Sequence, residues 1–249
     1  MTSFTRMRAG FAPRTRAFLY LTIRRKRYDA ALAELPRFTG PTIVVGSAPN
    51  PTRPTGLDQS WGVVTVNASQ ITANDFGLGT PDLTVMRDAI MREDEHPQVV
   101  WAALAAKTTR HLVATIASPW DHGIEDYAKA RGYLPDTVTE LDRHIRGAVV
   151  VEMSGEYVVT VSSGISNGIL AMLLALKLGA KPVVMAGFSV TPGWYFAPDR
   201  KGPRSHVSAD LRVCRAVARR GLPVFASDAI FAEHSGLPLW TGRVATVAS

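Results

Sequence analysis

Short β-branched runs that recur between stretches of helical periodicity constrain this chain more than any other feature. "TIVV" runs into the Pro/Gly-rich "GSAPNPTRPTG", "WGVVTVNASQ" ends a second run at Asn67, "PDLTVMRD" ends a third near Arg87, and "RHLVATIASP" is a fourth. Among them, "QVVWAALAAK" and "GIEDYAKARGYL" space their apolar residues as helices do. Further on, an apolar helix is expected over roughly 164–178, then a strand "PVVMAGF", a helix "HVSADLRVCRAVARRG" stopped by Gly221, and a last short strand "LPVFAS". "GAVVVEMSGEYVVTV" reads as two short strands around Ser154 and Gly155, a hairpin or an irregular insertion. Such alternation predicts an α/β fold with a mostly parallel sheet and helices on both faces.

At 249 residues and 46% hydrophobic content the chain can bury one substantial core and is short for two. The expected organisation is a basic amphipathic arm over 1–38 and a single α/β domain over 39–249, with a lid-like loop at 188–205. The one cysteine, Cys214, cannot close an internal disulfide, no Cys/His spacing fits a zinc site, and a reducing compartment fits best. The start lacks the apolar core of a secretory signal, and no run approaches the roughly 18 apolar residues of a membrane span.

The net charge of +7 is localised rather than general. Residues 1–28 hold eight Lys/Arg and no acid, which leaves 20 basic against 21 acidic residues elsewhere. A partner is therefore expected for the arm and not for the whole surface. "RTRAFLYLTIRRKRY" interleaves Phe18, Leu19, Leu21 and Ile23 with cations. On a helix this pattern suits an anionic membrane surface, and it equally suits a helix packed on its own domain with solvated arginines. No aromatic platform or nucleic-acid module accompanies the charge, so no nucleic-acid partner is expected.

In an open parallel sheet, ligands sit beyond the carboxyl ends of the strands. The candidates there are Gly46 and Ser47, Asn67, Arg87, Ser162 to Gly164, and Gly187 with its loop. "GSAPNP" is not a dinucleotide fingerprint, and the second run ends in Asn67 instead of a ribose-binding acid, which disfavours NAD without disfavouring a nucleotide. Asn67 suits a base edge, a ribose or a phosphate, and equally a strand-end turn. Ser162, Ser163 and Gly164 read as a helix cap, as an anion site at a helix N-terminus, or as both. The loop 188–205 holds Trp194, Tyr195 and Phe196 and ends at His206, which either faces solvent or acts as a general base.

The order of these motifs resembles that of the sialyltransferases, bacterial and eukaryotic. "IVVGSAP" with "VVTVNASQ" resembles their large sialylmotif, "SSGISNGILAMLLALKLGAKPVVMAGF" the small one, and "HVSAD" the very small one with its histidine and nearby acid. The similarity spans roughly residues 41–226. It implies a Rossmann-like, sialyltransferase-type nucleotide-binding fold and an inverting, metal-independent glycosyltransferase without a cofactor. The donor would be a CMP-activated nonulosonic or related 2-keto sugar acid, and the acceptor a glycan or glycolipid such as those of lipopolysaccharide. Gly46, Ser47, Asn67, Ser162, Ser163 and Gly164 would line the nucleotide site, His206 would take the acceptor proton, and Tyr195 would face the departing phosphate. A cytoplasmic protein, peripheral at the inner membrane through residues 1–28, is what the resemblance and the arm imply together. Three departures stand out: Ser47 replaces the usual asparagine, Thr191 or a neighbour stands where bacterial members place a second tyrosine, and His206 to Asp210 is one residue shorter than usual. The alternatives are a CMP-Kdo-type transferase and a non-catalytic membrane-associated protein that keeps the fold.

Overall fold

The computed structural model describes residues 13–91, 95–116, 123–157, 164–190 and 206–242. Its centre is a seven-stranded sheet in which every neighbouring pair runs parallel. The strands are β1 Thr42–Val45, β2 Gly62–Val66, β3 Leu83–Arg87, β4 Thr108–Ile116, β5 Leu134–Asp142, β6 Val183–Ala186 and β7 Val224–Ala226, in the spatial order β5-β4-β3-β2-β1-β6-β7. The helices are α1 Pro13–Ala33, α2 Gln70–Asp75, α3 Glu95–Leu104, α4 Ile124–Ala130, α5 Arg143–Ser154, α6 Asn167–Lys177, α7 Val207–Arg219 and α8 Ala229–Ser235.

Parallel strands buried on both faces explain the near-continuous apolar runs read in the sequence. In β1 all four residues are buried, with Val44 facing a core built with α1, α5, α6 and α7, and Ile43 and Val45 facing Trp61, Ala73 and Trp240 on the other side. A third cluster packs Met86, Leu112 and Ala114 against Trp101 and Tyr133. The helix expected over 164–178 begins at Asn167, and it is buried on nearly every side from Gly168 to Ala175.

One reading is corrected. "GAVVVEMS" is not strand but the body of α5, and the sheet's edge strand β5 comes just before it, in "LPDTVTELD". Asp142 caps α5 by accepting from the His144 and Ile145 amides at 2.8 Å each, and Gly155, at φ +74°, ends it. The β-branched run Val149–Val151 is wholly buried within the helix, so packing decides its conformation over propensity.

Residues 21–38, which the sequence places in the arm, contribute to the core. Tyr28, Leu32, Leu35 and Phe38 are buried, and Leu21 packs on the same cluster. Of the arm's cations, Arg27 pairs with Asp142 at 2.8 Å and Arg25 with Asp29 at 2.8 Å. Ile23 remains 78% exposed. Residues 1–12 and the side chains of Phe18 and Leu19 lie outside the described residues.

Beneath α1, Glu152 of α5 forms a junction. It accepts from the Tyr28 hydroxyl and from Lys177 Nζ at 2.9 Å, with Arg25 at 3.5 Å. Desolvation would raise the Glu152 carboxyl, but the bonds from Tyr28 and Lys177 outweigh it and hold the group below its ordinary 4.5. Burial and the Glu152 bond push the Tyr28 phenol up. The junction's charge therefore stabilises the fold above pH 4.5, and that contribution is lost as pH falls through the lower folded value. Glu152→Gln is expected to cost about 1–3 kcal/mol at neutral pH, with the gap to the parent closing in acid. Urea unfolding of both proteins at neutral and acidic pH measures it, and an equal gap at both would show that the carboxylate charge is not what holds α1.

Candidate nucleotide and acceptor site

The chain leaves β1 toward β2 and later returns to β6 on the opposite flank of β1, so the sheet's order reverses at β1. Loops diverge at such a switch point, which makes it the natural ligand site of an open α/β sheet. Here the loops after β1 and β6 are locked backbone to backbone. Gly46 N donates to Ala186 O and Ala48 N to Gly187 O, both at 2.8 Å. A Cβ on Gly46 would collide with the Gly187 carbonyl oxygen, and one on Gly187, whose φ is +72°, would lie 2.7 Å from Gly46 O. Glycine is needed at both positions because each backbone occupies the space of the other's side chain.

The loop after β6 also wedges the start of α6. Phe188 lies against Gly168 so closely that a Cβ there would overlap the ring, and its other side meets the Phe231 ring at 5.7 Å. The α6 N-terminus is thereby held over the carboxyl ends of β1 and β2. Its cap is Ser166, whose Oγ accepts from Ile169 N at 3.3 Å. The capping role expected of Ser162 or Ser163 thus falls to a serine three residues on, directly before the first helical residue. The Asn167 and Gly168 amides lie in the first turn, where no intrahelical carbonyl precedes them, at the positive end of the helix dipole.

Asn67 follows β2 directly, in the left-handed region at φ +50°, a conformation asparagine tolerates better than most residues. Its Oδ1 accepts from Asn167 Nδ2 at 3.4 Å, so the end of β2 and the start of α6 each present an amide to the same space. Ser69 ties that corner down, accepting from Val66 N at 2.8 Å and donating to Val45 O at 2.5 Å. Ser47 follows Gly46 and is partly exposed.

His206 precedes α7, and its Nδ1 lies 2.5 Å from Gly164 O. A carbonyl only accepts, so the proton of this bond sits on Nδ1, the tautomer that places the lone pair on Nε2 when the ring carries one proton. One helical turn on, Asp210 Oδ1 accepts from Ser166 N at 2.8 Å. Burial pushes the Asp210 carboxyl above its ordinary value, opposed by the bonds from Ser166. The guanidinium of Arg146, on α5, donates to Ile165 O. Among the described residues no group of three or more His, Cys, Asp or Glu is placed to hold a metal ion.

The structure therefore brings Gly164 to His206, Asn67 to the α6 N-terminus, and Gly46 to Gly187. Ser162, Ser163, Thr191 and Tyr195, with most of the loop 188–205, lie outside the described residues. Arg87 ends β3, one strand beyond Asn67 and away from the reversal at β1. Sequence reasoning missed Asn167 and Ser166, although a serine and an asparagine directly before an apolar helix are the usual signal for a cap and a first turn.

The same arrangement of strands and helices occurs in solved structures. The alpha-2,3-sialyltransferase Cst-I from Campylobacter jejuni superimposes with a TM-score of 0.54 at 14% identity, over 82% of this chain and 81% of that one. The fold is that of the Campylobacter sialyltransferases. CstII from Campylobacter jejuni, in complex with the substrate analogue CMP-3FNeuAc, matches with a TM-score of 0.54 at 9% identity over 81% of this chain and 86% of that one. The sialyltransferase CST-II with a trisaccharide acceptor and CMP matches at 0.51 and 10% identity, over 82% and 88% of the two chains. By sequence, neither a protein-family model nor a curated protein matches the chain. The sialyltransferase-type α/β fold expected from motif order is thus present where sequence identity alone is too low to reveal it.

Proposed function

We propose that this protein is an inverting glycosyltransferase that moves a sialic-acid-like sugar from a CMP-activated donor to a glycan or glycolipid acceptor, without a metal ion. The observation that carries the reading is the hydrogen bond from His206 Nδ1 to Gly164 O, set at the mouth of a sialyltransferase-type sheet. It orients an imidazole whose Nε2 has no partner among the described residues, next to a helix N-terminus suited to phosphate. CMP-bound and CMP-3FNeuAc-bound sialyltransferases share the fold, which supports cytidine monophosphate as the carrier.

In this reading the acceptor hydroxyl attacks the anomeric carbon of the donor sugar from the face opposite the phosphate. The new C–O bond forms, the bond to the phosphate oxygen breaks with its electron pair leaving on CMP, and His206 Nε2 takes the hydroxyl proton. Charge builds on the departing phosphate, where the first-turn amides of α6 and the hydroxyls of Ser162 and Ser163 favour it. Gly46, Ser47 and Asn67 line the nucleoside side, and contact with the leaving group is the role proposed for Tyr195, which lies outside the described residues. Residues 1–28 hold the protein peripherally at an anionic inner-membrane surface, which the exposed Ile23 supports. No helix among the described residues is long and apolar enough to cross a membrane.

The direct test is a melting-temperature titration with CMP, CDP, UDP, GDP, ADP and NAD, each with and without magnesium. A shift selective for CMP and independent of magnesium is expected, since a ligand at about 100 times its dissociation constant adds about 2.7 kcal/mol. A shift selective for another nucleotide, or one that needs magnesium, would overturn the donor. Transfer assays with CMP-sialic acid and CMP-Kdo then separate the two sugar acids. CMP binding without turnover of either donor would mark a non-catalytic protein.

A further inference from the structure

The turn before α6 is unusually well gripped, and its grips come from elements distant in sequence. His206 holds Gly164 O, Asp210 holds Ser166 N, and Arg146 holds Ile165 O, so three consecutive residues each lose one backbone polar group to a side chain of α7, its cap or α5. Two of these grips leave the same helix one turn apart, as residues at i and i+4 do. A carboxylate buried beside the core without a full-strength partner would be costly. Asp210 is retained there with its acceptor directed at Ser166 N and bonded also to the Ser166 side chain, which in turn caps α6 through Ile169 N.

The geometry points to Asp210 as a positioning residue. By holding Ser166 one turn below the His206–Gly164 bond, it fixes the turn at two points to α7, so that the proton-accepting imidazole and the α6 N-terminus form one rigid unit. Without Asp210, α7 would hold the turn by the Gly164 O bond alone, leaving only the Arg146 grip from α5 beside it, and the turn could tilt, and with it the choice of which imidazole nitrogen carries the proton. With the second grip in place, Gly164 O stays in line with Nδ1, and Nε2 is kept as the base. Its catalytic meaning rests on the transferase reading above, whereas the coupling itself is a property of the free protein.

Imidazole nitrogen NMR on the free protein, with His206 assigned by its loss in His206→Ala, reads the tautomer without any nucleotide. The parent is expected to carry its proton on Nδ1. Asp210→Ala is expected to mix the two tautomers and to weaken CMP binding on the order of tenfold, the loss typical of a charge-assisted hydrogen bond. Asp210→Asn keeps an oxygen acceptor for Ser166 N and is expected to rescue both readouts. If Asp210→Ala does not fold, Asp210→Ser, whose hydroxyl is too short to reach, takes its place. A parent protonated on Nε2, an Asp210→Ala spectrum identical to the parent's, or an Asp210→Asn protein as defective as Asp210→Ala would each overturn the assignment. Failure of CMP to bind the parent would instead strike the transferase reading and leave the tautomer result to decide the role of Asp210.

Discussion

His206→Ala is expected to lower sugar transfer by about a thousandfold, the middle of the range for a lost general base, while the protein still melts cooperatively and still shifts with CMP. The separation follows from where the ring sits. His206 is partly exposed ahead of α7, and among the described residues its ring bonds to a carbonyl that water can satisfy in its absence. The first-turn amides proposed for the phosphate belong to α6, whose cap and burial do not use the ring. Steady-state rates with CMP-sialic acid and a glycan acceptor, set beside the CMP melting shift, give both readings from one preparation. Undiminished turnover in the mutant would remove His206 from the chemistry. A loss of CMP binding equal to the loss of rate would recast it as a ligand contact.

The other large effect is expected at the crossing of the two loops. Gly46→Ala places a methyl group into the Gly187 carbonyl oxygen, and both partners are backbone continuing directly from β1 and β6. No side chain can swing aside to relieve the overlap, so a strand end must move and the hydrogen bonds from Gly46 N and Ala48 N are strained or lost. A destabilisation of about 2–4 kcal/mol is expected, with CMP protection falling as well because Ser47 moves with the loop. Gly187→Ala is expected to cost at least as much, since it adds left-handed strain to the same contact. Urea unfolding gives the stability and the CMP titration gives the site. Retained stability in Gly46→Ala would mean that the loops part readily and that their close approach does not shape the cleft.

Much of the fold was legible because buried parallel strands leave dense apolar runs. "TIVV", "GVVTV" and "VVMA" announce β1, β2 and β6 without ambiguity, and each is buried almost throughout. The edge strand escaped notice for the opposite reason. "LPDTVTELD" is half exposed and carries Asp136 and Glu140, so it lacks the signature that both-face burial writes into its neighbours. The valines after it drew the strand reading to themselves, although Asp142 and Gly155 bracket them as cap and stop for a helix. At the site, Gly46, Asn67, Gly164 and His206 could be singled out because each follows a strand or precedes a helix. The bond between Asp210 and Ser166 could not, because it depends on where α6 and α7 sit relative to one another, and that is set by packing over a separation of 44 residues; Asn167 carried the signal of a first-turn residue, but its meeting with Asn67 spans 100 residues.

The first helix has no joint along its length. From Pro13 to Ala33 it is continuous, and in its last two turns Tyr28 and Leu32 belong to the interior, with Tyr28 bonded to Glu152. A partner that held the far end of this rod, some 30 Å long, would therefore also set the tilt of the whole sheet, and with it the direction in which the cleft opens. Address and aim would then be one device: wherever the rod lay down, the mouth of the protein would already be pointed. A version trimmed to start at β1 would open the interior, for the loss of Tyr28 and Leu32 would leave a trough along α5 that water would flood.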